Sequence, residues 1–256
     1  MQHSLVRFIL VTFIWSWGCW LLAALIRSQS PITAGVLSTL GGFGPSLAAA
    51  LVIGLDGGVQ ALRIWLKTCL KRDIGVRPFA WAFLLPLCVL IPAALVYVMT
   101  GGRLPPSPIA INAWLAGANL FLIFLLDGPL GEVLGWRGYA WKWLREKHTW
   151  QRSSLVVGLV WGLWHLPLFY IADTLQHGIA LLPFIASAVA LSVVFGWLSE
   201  RSHGSVLPAF VLHTATNWWA WLVPGLLGGG NHRQLLLTLG MLTLMALAMF
   251  RSKQQR

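Results

Sequence analysis

Eight stretches of the chain are apolar over roughly the length that a helix needs to cross a lipid bilayer. Only helices and closed barrels can span lipid, because every backbone polar group there must be bonded within the protein. Barrel strands are much shorter than these runs. The sequence therefore predicts an all-α polytopic membrane bundle of about eight transmembrane helices, at 5–26, 34–55, 79–100, 111–130, 153–172, 180–199, 205–223 and 234–250.

The composition supports lipid as the main solvent. Hydrophobic residues make up 57% of the chain and charged residues 10%, whereas soluble domains carry about 25% charged residues. The net charge of +11 is divided among loops between apolar runs, so we expect a lipid bilayer as a partner and no nucleic acid. No repeat or linker interrupts the pattern, which predicts a single domain over 1–256 with its motif core at about 111–222.

The Lys and Arg residues predict the orientation. With the N-terminus in the cytoplasm, eight spans place every Lys and Arg on the cytoplasmic side except Arg27, Arg103 and Arg233. This bias follows the rule that cytoplasmic loops are rich in basic residues. We therefore expect both termini in the cytoplasm. Short loops and no organelle signal favour a bacterial inner (plasma) membrane.

Four ionisable residues, Asp127, Glu132, His165 and His213, fall within or beside these apolar runs. Such groups are costly in lipid and indicate function. Asn217 lies one helical turn beyond His213, on the same helix face. If the chain around Glu132 is helical, all of these except Asp127 lie about 12 to 18 Å from the cytoplasmic edge. The sequence therefore predicts one polar site inside the bundle.

Two glycines predict the direction in which His165 points. Gly158, Gly162 and His165 share one helix face, and two small residues four apart let a second helix approach closely. His165 would then face the interior of the bundle and not the lipid.

Two kinds of chemistry suit these side chains. A carboxylate and an imidazole, Glu132 and His165, can take a proton from water and activate it for attack, while His213 and Asn217 donate hydrogen bonds to the oxyanion that forms. Alternatively, Glu132, His165 and His213 match the ligand number of a catalytic zinc site. Either arrangement hydrolyses amides, and the spacing does not choose between them.

Three segments resemble the motifs of the CPBP (CAAX-protease-like, Abi) intramembrane proteases. The sequence at 132–139 reads EVLGWRGY, which resembles E-E-x-x-x-R; 161–165 reads WGLWH, which resembles F-x-x-x-H; and 213–217 reads HTATN, which resembles H-x-x-x-N. The motifs occur in the family's order. Each is weak alone, whereas the three together on helices are specific.

The resemblance implies an intramembrane endopeptidase of the glutamate or metal-dependent type, which hydrolyses a peptide bond of a membrane-associated protein or peptide. It implies that Glu132 and His165 activate water and that His213 and Asn217 hold the oxyanion. Zinc is the one cofactor that it suggests. The alternative is a non-catalytic membrane scaffold or bacteriocin-immunity protein that uses the same fold.

Two residues depart from the family pattern. Trp161 replaces the usual Phe, which we take as harmless, and Val133 replaces the second Glu. Val133 and Arg137 are four apart, so a Glu at 133 would face that arginine. We expect Arg137 to orient other groups or to snorkel, Trp136 and Trp161 to support the site, and Asp127 to be structural or a secondary acid. We also expect activity to survive the loss of the second Glu.

Overall fold

The computed structural model describes residues 2–104, 106–107, 112–223 and 232–252, and these residues form helices and no strand. The all-α fold class is therefore confirmed. The α-helices are α1 (Gln2–Ile26), α2 (Pro31–Gly42), α3 (Gly44–Cys69), α4 (Arg77–Met99), α5 (Ala113–Leu126), α6 (Pro129–Val133), α7 (Trp141–Arg145), α8 (Trp150–Trp164), α9 (Leu181–Glu200), α10 (Leu207–Leu222) and α11 (His232–Arg251).

Six helical segments in the described part of the chain are long and apolar enough to cross a membrane: Leu5–Ile26, Gly44–Cys69, Arg77–Met99, Trp114–Arg145, Leu181–Glu200 and His232–Arg251. The chain is thus an integral membrane protein. Helices α8 and α10, with 15 and 16 residues, are shorter than the roughly 20 residues that cross a bilayer. The number of eight spans and the cytoplasmic position of both termini stay predictions.

The loops form two opposite ends of the bundle. At one end, which we call the basic end (loops 70–76, 146–149 and 201–206), Lys142 donates to the carbonyl of Gly204 at 2.6 Å, and Arg145 pairs with Glu200 at 2.7 Å. At the other, the opposite end (27–30, 100–104 and 170–180), Arg27 donates to the carbonyl of Ala172. Lys142 and Arg145 therefore lie at one end of the bundle and Arg27 at the other, which agrees with the predicted division of the basic residues.

The second predicted span, 34–55, is interrupted. Helix α2 ends at Gly42 and α3 begins at Gly44, because Pro45 lacks an amide hydrogen and favours a helix start. A Cβ on Gly135 would lie 2.4 Å from the backbone of Pro45, so this break packs closely against the segment that follows Glu132. Helix α3 continues to Cys69 through a bend at Gly58, beyond the end at 55 that the sequence predicts for this span.

The predicted span 153–172 is also too long. Helix α8 ends at Trp164 with His165 as its C-cap, and a short 3-10 turn follows over Leu166–Phe169. Pro167 explains this end, because proline has no N–H for the helix and its ring clashes with the preceding turn. At 1.5 Å per residue the helix covers about 22 Å, so its C-terminus lies inside the bundle.

The segment that carries Glu132 is helical, as the depth estimate required. Helix α6 passes into a π-helical stretch, Leu134–Ala140, and then into α7. Such π-helical turns are rare and often occur at functional sites. Close packing of α8 on α9 is confirmed as well, since a Cβ on Gly158 would lie 2.7 Å from Ser192 and from the backbone of Val189.

Candidate active site

Glu132 lies buried at the start of α6, with 6% of its surface exposed. The chain enters α6 through Gly128, which has a φ of 97°, a conformation that residues with a Cβ rarely adopt. A Cβ on Gly128 would lie 2.6 Å from Glu132 Oε1 and 3.2 Å from His213 Nε2. The missing side chain at this turn therefore lets the carboxylate and the imidazole approach the same point.

Trp161 joins two of the predicted catalytic residues. Its indole N–H donates to Glu132 Oε2 at 2.5 Å, and its carbonyl lies 2.8 Å from His165 Nδ1. Because a carbonyl can only accept, His165 carries its hydrogen on Nδ1, and in the neutral ring Nε2 is an acceptor. The imidazole is thus held in the tautomer that a general base requires.

His213 completes the group on α10. It is 6% exposed, and its ring centroid lies 5.9 Å from that of Trp161, while the centroid of His165 lies 5.8 Å from the same indole. The structure therefore brings Glu132, His165 and His213 around one tryptophan. Their catalytic roles stay predictions.

Asn217 lies one turn beyond His213, and its amide is held by Asp127. The amide nitrogen donates to the Asp127 carbonyl at 3.0 Å and, more weakly, to its carboxylate at 3.4 Å. Asp127 therefore contacts a predicted site residue directly, at the C-cap of α5. The sequence left the role of Asp127 open, and the structure makes it the neighbour that orients Asn217.

Arg137 is buried and does not snorkel, so of the two roles expected for it the orienting role stays a prediction. Only 3% of its surface is exposed, since the π-helical stretch directs it into the core. Its guanidinium donates to Ser192 Oγ at 2.8 Å and lies 4.4 Å from the centroid of Phe195 and 5.4 Å from that of Trp161. The ion pairs found among the described residues do not include Arg137.

Val133 lies where the family pattern has a second glutamate. It lines a cavity of about 10 Å³ together with Glu132, Trp136, Arg137, Trp161, Phe195 and His213. Space of this size holds about one water molecule. Arg137 is surrounded by the hydroxyl of Ser192 and by the rings of Phe195 and Trp161.

Trp136 lies in the core beside Glu132 and lines the same small cavity. It is 2% exposed and packs edge to face against Trp164 at 5.9 Å and against Phe8 at 5.5 Å. These contacts tie the π-helical stretch to α8 and α1. The predicted supporting role is consistent with this position as a wall of the site.

The donor set does not fit a zinc site of Glu132, His165 and His213. Within the described ranges, no three His, Cys, Asp or Glu side chains lie close enough to hold a metal ion. We therefore derive no step through a metal.

The sequence did not identify Gly128, Ser192 or Phe195 as parts of the site. The Gly128–Pro129 pair is a local sign of a helix break, but the sequence gives no sign of the contact between Gly128 and Glu132. Nothing local in α9 marks Ser192 or Phe195, because their importance comes from Arg137, which lies 55 residues away from Ser192 in the chain. At position 161, we took tryptophan as a harmless replacement for phenylalanine. Its indole N–H donates a hydrogen bond to Glu132 that phenylalanine cannot make.

We expect Trp161→Phe to lower turnover about 10- to 100-fold, although phenylalanine is the usual residue of the family. The exchange keeps an aromatic ring but removes the donor to Glu132, and hydrogen bonds to charged groups contribute about 1.5 to 3 kcal/mol. Steady-state cleavage of a peptide substrate in detergent or liposomes measures the effect.

Trp164→Phe is the matched control for this variant. It changes a neighbouring indole of α8 whose N–H has no hydrogen-bond partner in the described structure. We expect the control to keep turnover within a few-fold. Equal losses in both variants would mean that ring volume matters and that the bond to Glu132 does not.

We expect Ser192→Ala to destabilise the protein by about 1 to 3 kcal/mol, because it leaves a buried guanidinium donor without its acceptor. Ser192 also donates to the Ser154 carbonyl at 2.7 Å, so the change loosens α8 from α9. A thermal unfolding curve in detergent measures it. Ser199→Ala is the control, since within the described ranges the Ser199 hydroxyl bonds to the Phe195 carbonyl of its own helix at 2.8 Å. An equal shift there would contradict the assignment.

A large cavity of about 1060 Å³ adjoins the site, and Glu132, Trp161, His165, His213 and Asn217 all line it. The predicted catalytic groups thus face a space that a ligand can enter. Its volume is at the upper end of the range for small-molecule sites.

Comparison with known proteins agrees with the motifs. A family model described as type II CAAX prenyl endopeptidase Rce1-like matches residues 112–219. A protein of the archaeon Methanococcus maripaludis, named CAAX prenyl protease 2, is 23% identical over 222 residues, which are 82% of this chain and 81% of that protein. The matched segment contains Glu132, His165, His213 and Asn217. Over this segment the chain is similar to the CAAX-protease-like membrane endopeptidases, the family whose motifs it resembles.

Proposed function

We propose that this protein hydrolyses a peptide bond of a membrane-associated protein or peptide, with water activated by Glu132 and His165. The observation that carries the proposal is that both residues contact Trp161 and line the same cavity. The similarity to CAAX-protease-like proteins supports endopeptidase activity in the membrane. The bacterial inner membrane stays a prediction, which the archaeal origin of the relative weakens.

In the proposed reaction, the water oxygen bonds to the carbonyl carbon of the substrate while Glu132 or His165 accepts its proton. The tetrahedral intermediate then breaks the C–N bond, and the departing nitrogen takes up that proton. His213 and Asn217 would donate to the negatively charged oxygen of the intermediate. For Asn217, the bond of 3.4 Å to the Asp127 carboxylate is the weaker one and the easier one to exchange for the substrate.

The name of the archaeal relative describes a prenyl CAAX substrate for that protein. For this chain we propose the broader class of membrane-associated peptides, because the site residues discussed above recognise a peptide carbonyl and do not distinguish what lies beyond it. The alternative, a scaffold without catalysis, finds no support in the family comparisons.

The test is a comparison of protein termini in membranes from cells that carry the wild type, Glu132→Ala, His165→Ala or no copy of the gene. Mass spectrometry identifies the new termini. We expect a set of termini that requires both residues and that names the substrate. Identical termini in the wild type and both variants, with a phenotype in the deletion alone, would overturn the proposal in favour of the scaffold.

We also expect a strong chelator to leave the cleavage rate unchanged, because the donor set does not fit a zinc site. The measurement is the rate of the purified protein before and after dialysis against the chelator, with zinc added back. A loss of rate that zinc restores would show that a metal takes part. A metalloprotease of known chelator sensitivity serves as the control.

A further inference from the structure

Two tryptophans lie side by side where α4 and α9 reach the basic end. Trp81 lies in the second turn of α4 and Trp197 in the last turn of α9, and their ring centroids are 5.3 Å apart. Trp81 is exposed and Trp197 is half-buried. Tryptophan is enriched where the hydrocarbon core of a membrane meets water. The pair therefore marks the level of the lipid headgroups on the outer surface of the bundle.

Each tryptophan has an arginine one helical turn nearer the end of its helix. Arg201 stacks its guanidinium on Trp197, 4.0 Å from the ring centroid, and donates to the Trp197 carbonyl at 3.2 Å. Arg77 is exposed and lies four residues before Trp81, on the same face of α4. Stacking on a ring fixes the plane of a guanidinium and leaves donors on its edge available to an anion.

Neither arginine has a carboxylate as an ion-pair partner in the described part of the chain. Glu200, which precedes Arg201, has both carboxylate oxygens bonded to Arg145 instead, at 2.7 and 3.2 Å. The acidic residue nearest to Arg77 in the sequence is Asp73, in a loop that also carries two basic residues. The surface beside the two tryptophans therefore carries an excess of positive charge.

Helix α4 continues from this charged surface as an apolar stripe on the outside of the bundle. After Trp81, at spacings of three and four residues, come the exposed side chains of Leu84, Cys88 and Ile91. The buried face of α4 packs against α10 and α11. From Trp81 to Ile91 the helix rises about 15 Å, which is half of the roughly 30 Å hydrocarbon core. The stripe therefore spans the depth of one leaflet, where a phospholipid chain extends.

We propose that Arg77, Trp81, Trp197 and Arg201 form a binding site for one anionic phospholipid, which we call the headgroup site. The two arginines hold the phosphate, because a planar guanidinium matches phosphate geometry and basic pockets between transmembrane helices bind lipid headgroups. An acyl chain lies along the stripe of α4. A soluble phosphate would meet the same arginines without using the stripe, so charge and stripe together favour a lipid.

The headgroup site shares no residue with the candidate active site or with the large cavity beside it. A lipid can therefore bind there whether or not the chain cleaves peptides. The experiment below measures binding alone, so its result is independent of the test of the proposed function.

Native mass spectrometry of the purified protein in a neutral detergent tests the headgroup site. Phosphatidylglycerol, phosphatidylcholine and glycerol 3-phosphate are titrated separately, which offers a phosphate on an anionic lipid, on a neutral lipid and without acyl chains. We expect one phosphatidylglycerol to bind at least about 10-fold more tightly than either of the others. Combining Arg77→Gln with Arg201→Gln should weaken its binding about 10- to 30-fold, the loss expected for two basic residues near an anionic surface.

Arg63→Gln combined with Arg152→Gln is the matched control. Both are exposed arginines on other helices, and neither stacks on a ring within the described ranges. This control removes the same charge and should keep the affinity for phosphatidylglycerol within a few-fold. Thermal unfolding gives a second readout: the lipid should raise the midpoint of the wild type and the control, and not that of the Arg77 and Arg201 variant. Each protein is compared with its own lipid-free midpoint, so a less stable variant remains informative.

Three results would overturn the inference. Equal affinities for phosphatidylglycerol and phosphatidylcholine would show that no anionic headgroup is recognised. Equal losses in the two double variants would attribute binding to the total charge of the protein and not to this site. Glycerol 3-phosphate that binds as tightly as the lipid would make the two arginines a site for a soluble phosphate.

Discussion

Replacing Glu132 by glutamine is expected to reduce turnover by about 10²- to 10⁴-fold while leaving the protein folded. Glutamine has nearly the same shape, and its carbonyl oxygen can still accept from the Trp161 indole, so the local packing is kept. It cannot take a proton from water, and a general base contributes about 10² to 10⁴ in rate. The measurement is the rate constant for peptide cleavage by the purified variant, with its thermal unfolding curve alongside.

Glu146→Gln is the matched control, because Glu146 is an exposed glutamate on the basic-end loop that follows α7. We expect it to keep the wild-type rate. A Glu132→Gln variant with normal turnover would refute the proposed chemistry. A variant that melts far below the wild type would require the comparison to be repeated with His165→Gln.

Replacing Gly128 by alanine is expected to lower turnover by about 100-fold or more and to destabilise the protein. A residue with a Cβ at a φ of 97° is strained by about 1 to 3 kcal/mol. The new Cβ would also lie 2.6 Å from Glu132 Oε1, so the carboxylate must move. Small displacements of reacting groups are costly in rate. Cleavage rate and thermal unfolding are measured together.

Gly101→Ala separates the two causes. Gly101 has a φ of 86°, and a Cβ there would meet nothing within 4 Å, so the variant carries the backbone strain without the clash. We expect it to be destabilised and to keep its turnover. If both alanine variants lost turnover equally, backbone strain would explain the loss and Gly128 would have no special relation to Glu132.

The two departures from the family pattern meet at the same place in the structure. Trp161 supplies a donor to Glu132, and Val133 leaves Arg137 beside Ser192 and two aromatic faces. Each looks like an independent substitution in the sequence. The fold brings them together around one carboxylate, which is why Trp161→Phe is expected to be harmful here although phenylalanine is the usual family residue.

The errors of the sequence analysis concern how helices end. Pro45 and Pro167 lie inside long apolar runs, and hydropathy does not reveal whether a proline bends a membrane helix or ends it. In this protein both mark ends, so α2 and α8 are short and their tips lie within the bundle. His165 consequently caps a helix at the cavity instead of lying in the middle of a span.

The sequence by itself determined the all-α membrane class, the segregation of basic residues between loops, and the candidate residues Glu132, His165, His213 and Asn217. These follow from local properties, namely the transfer free energy of each run, the charge of each loop and the cost of ionisable groups in lipid. Tertiary structure alone decided the burial of Arg137 against Ser192 and Phe195, and the meeting of Glu132 and His213 around Trp161. Those features depend on contacts between helices that are far apart in the chain, and hydrophobic periodicity carries no information about which faces meet.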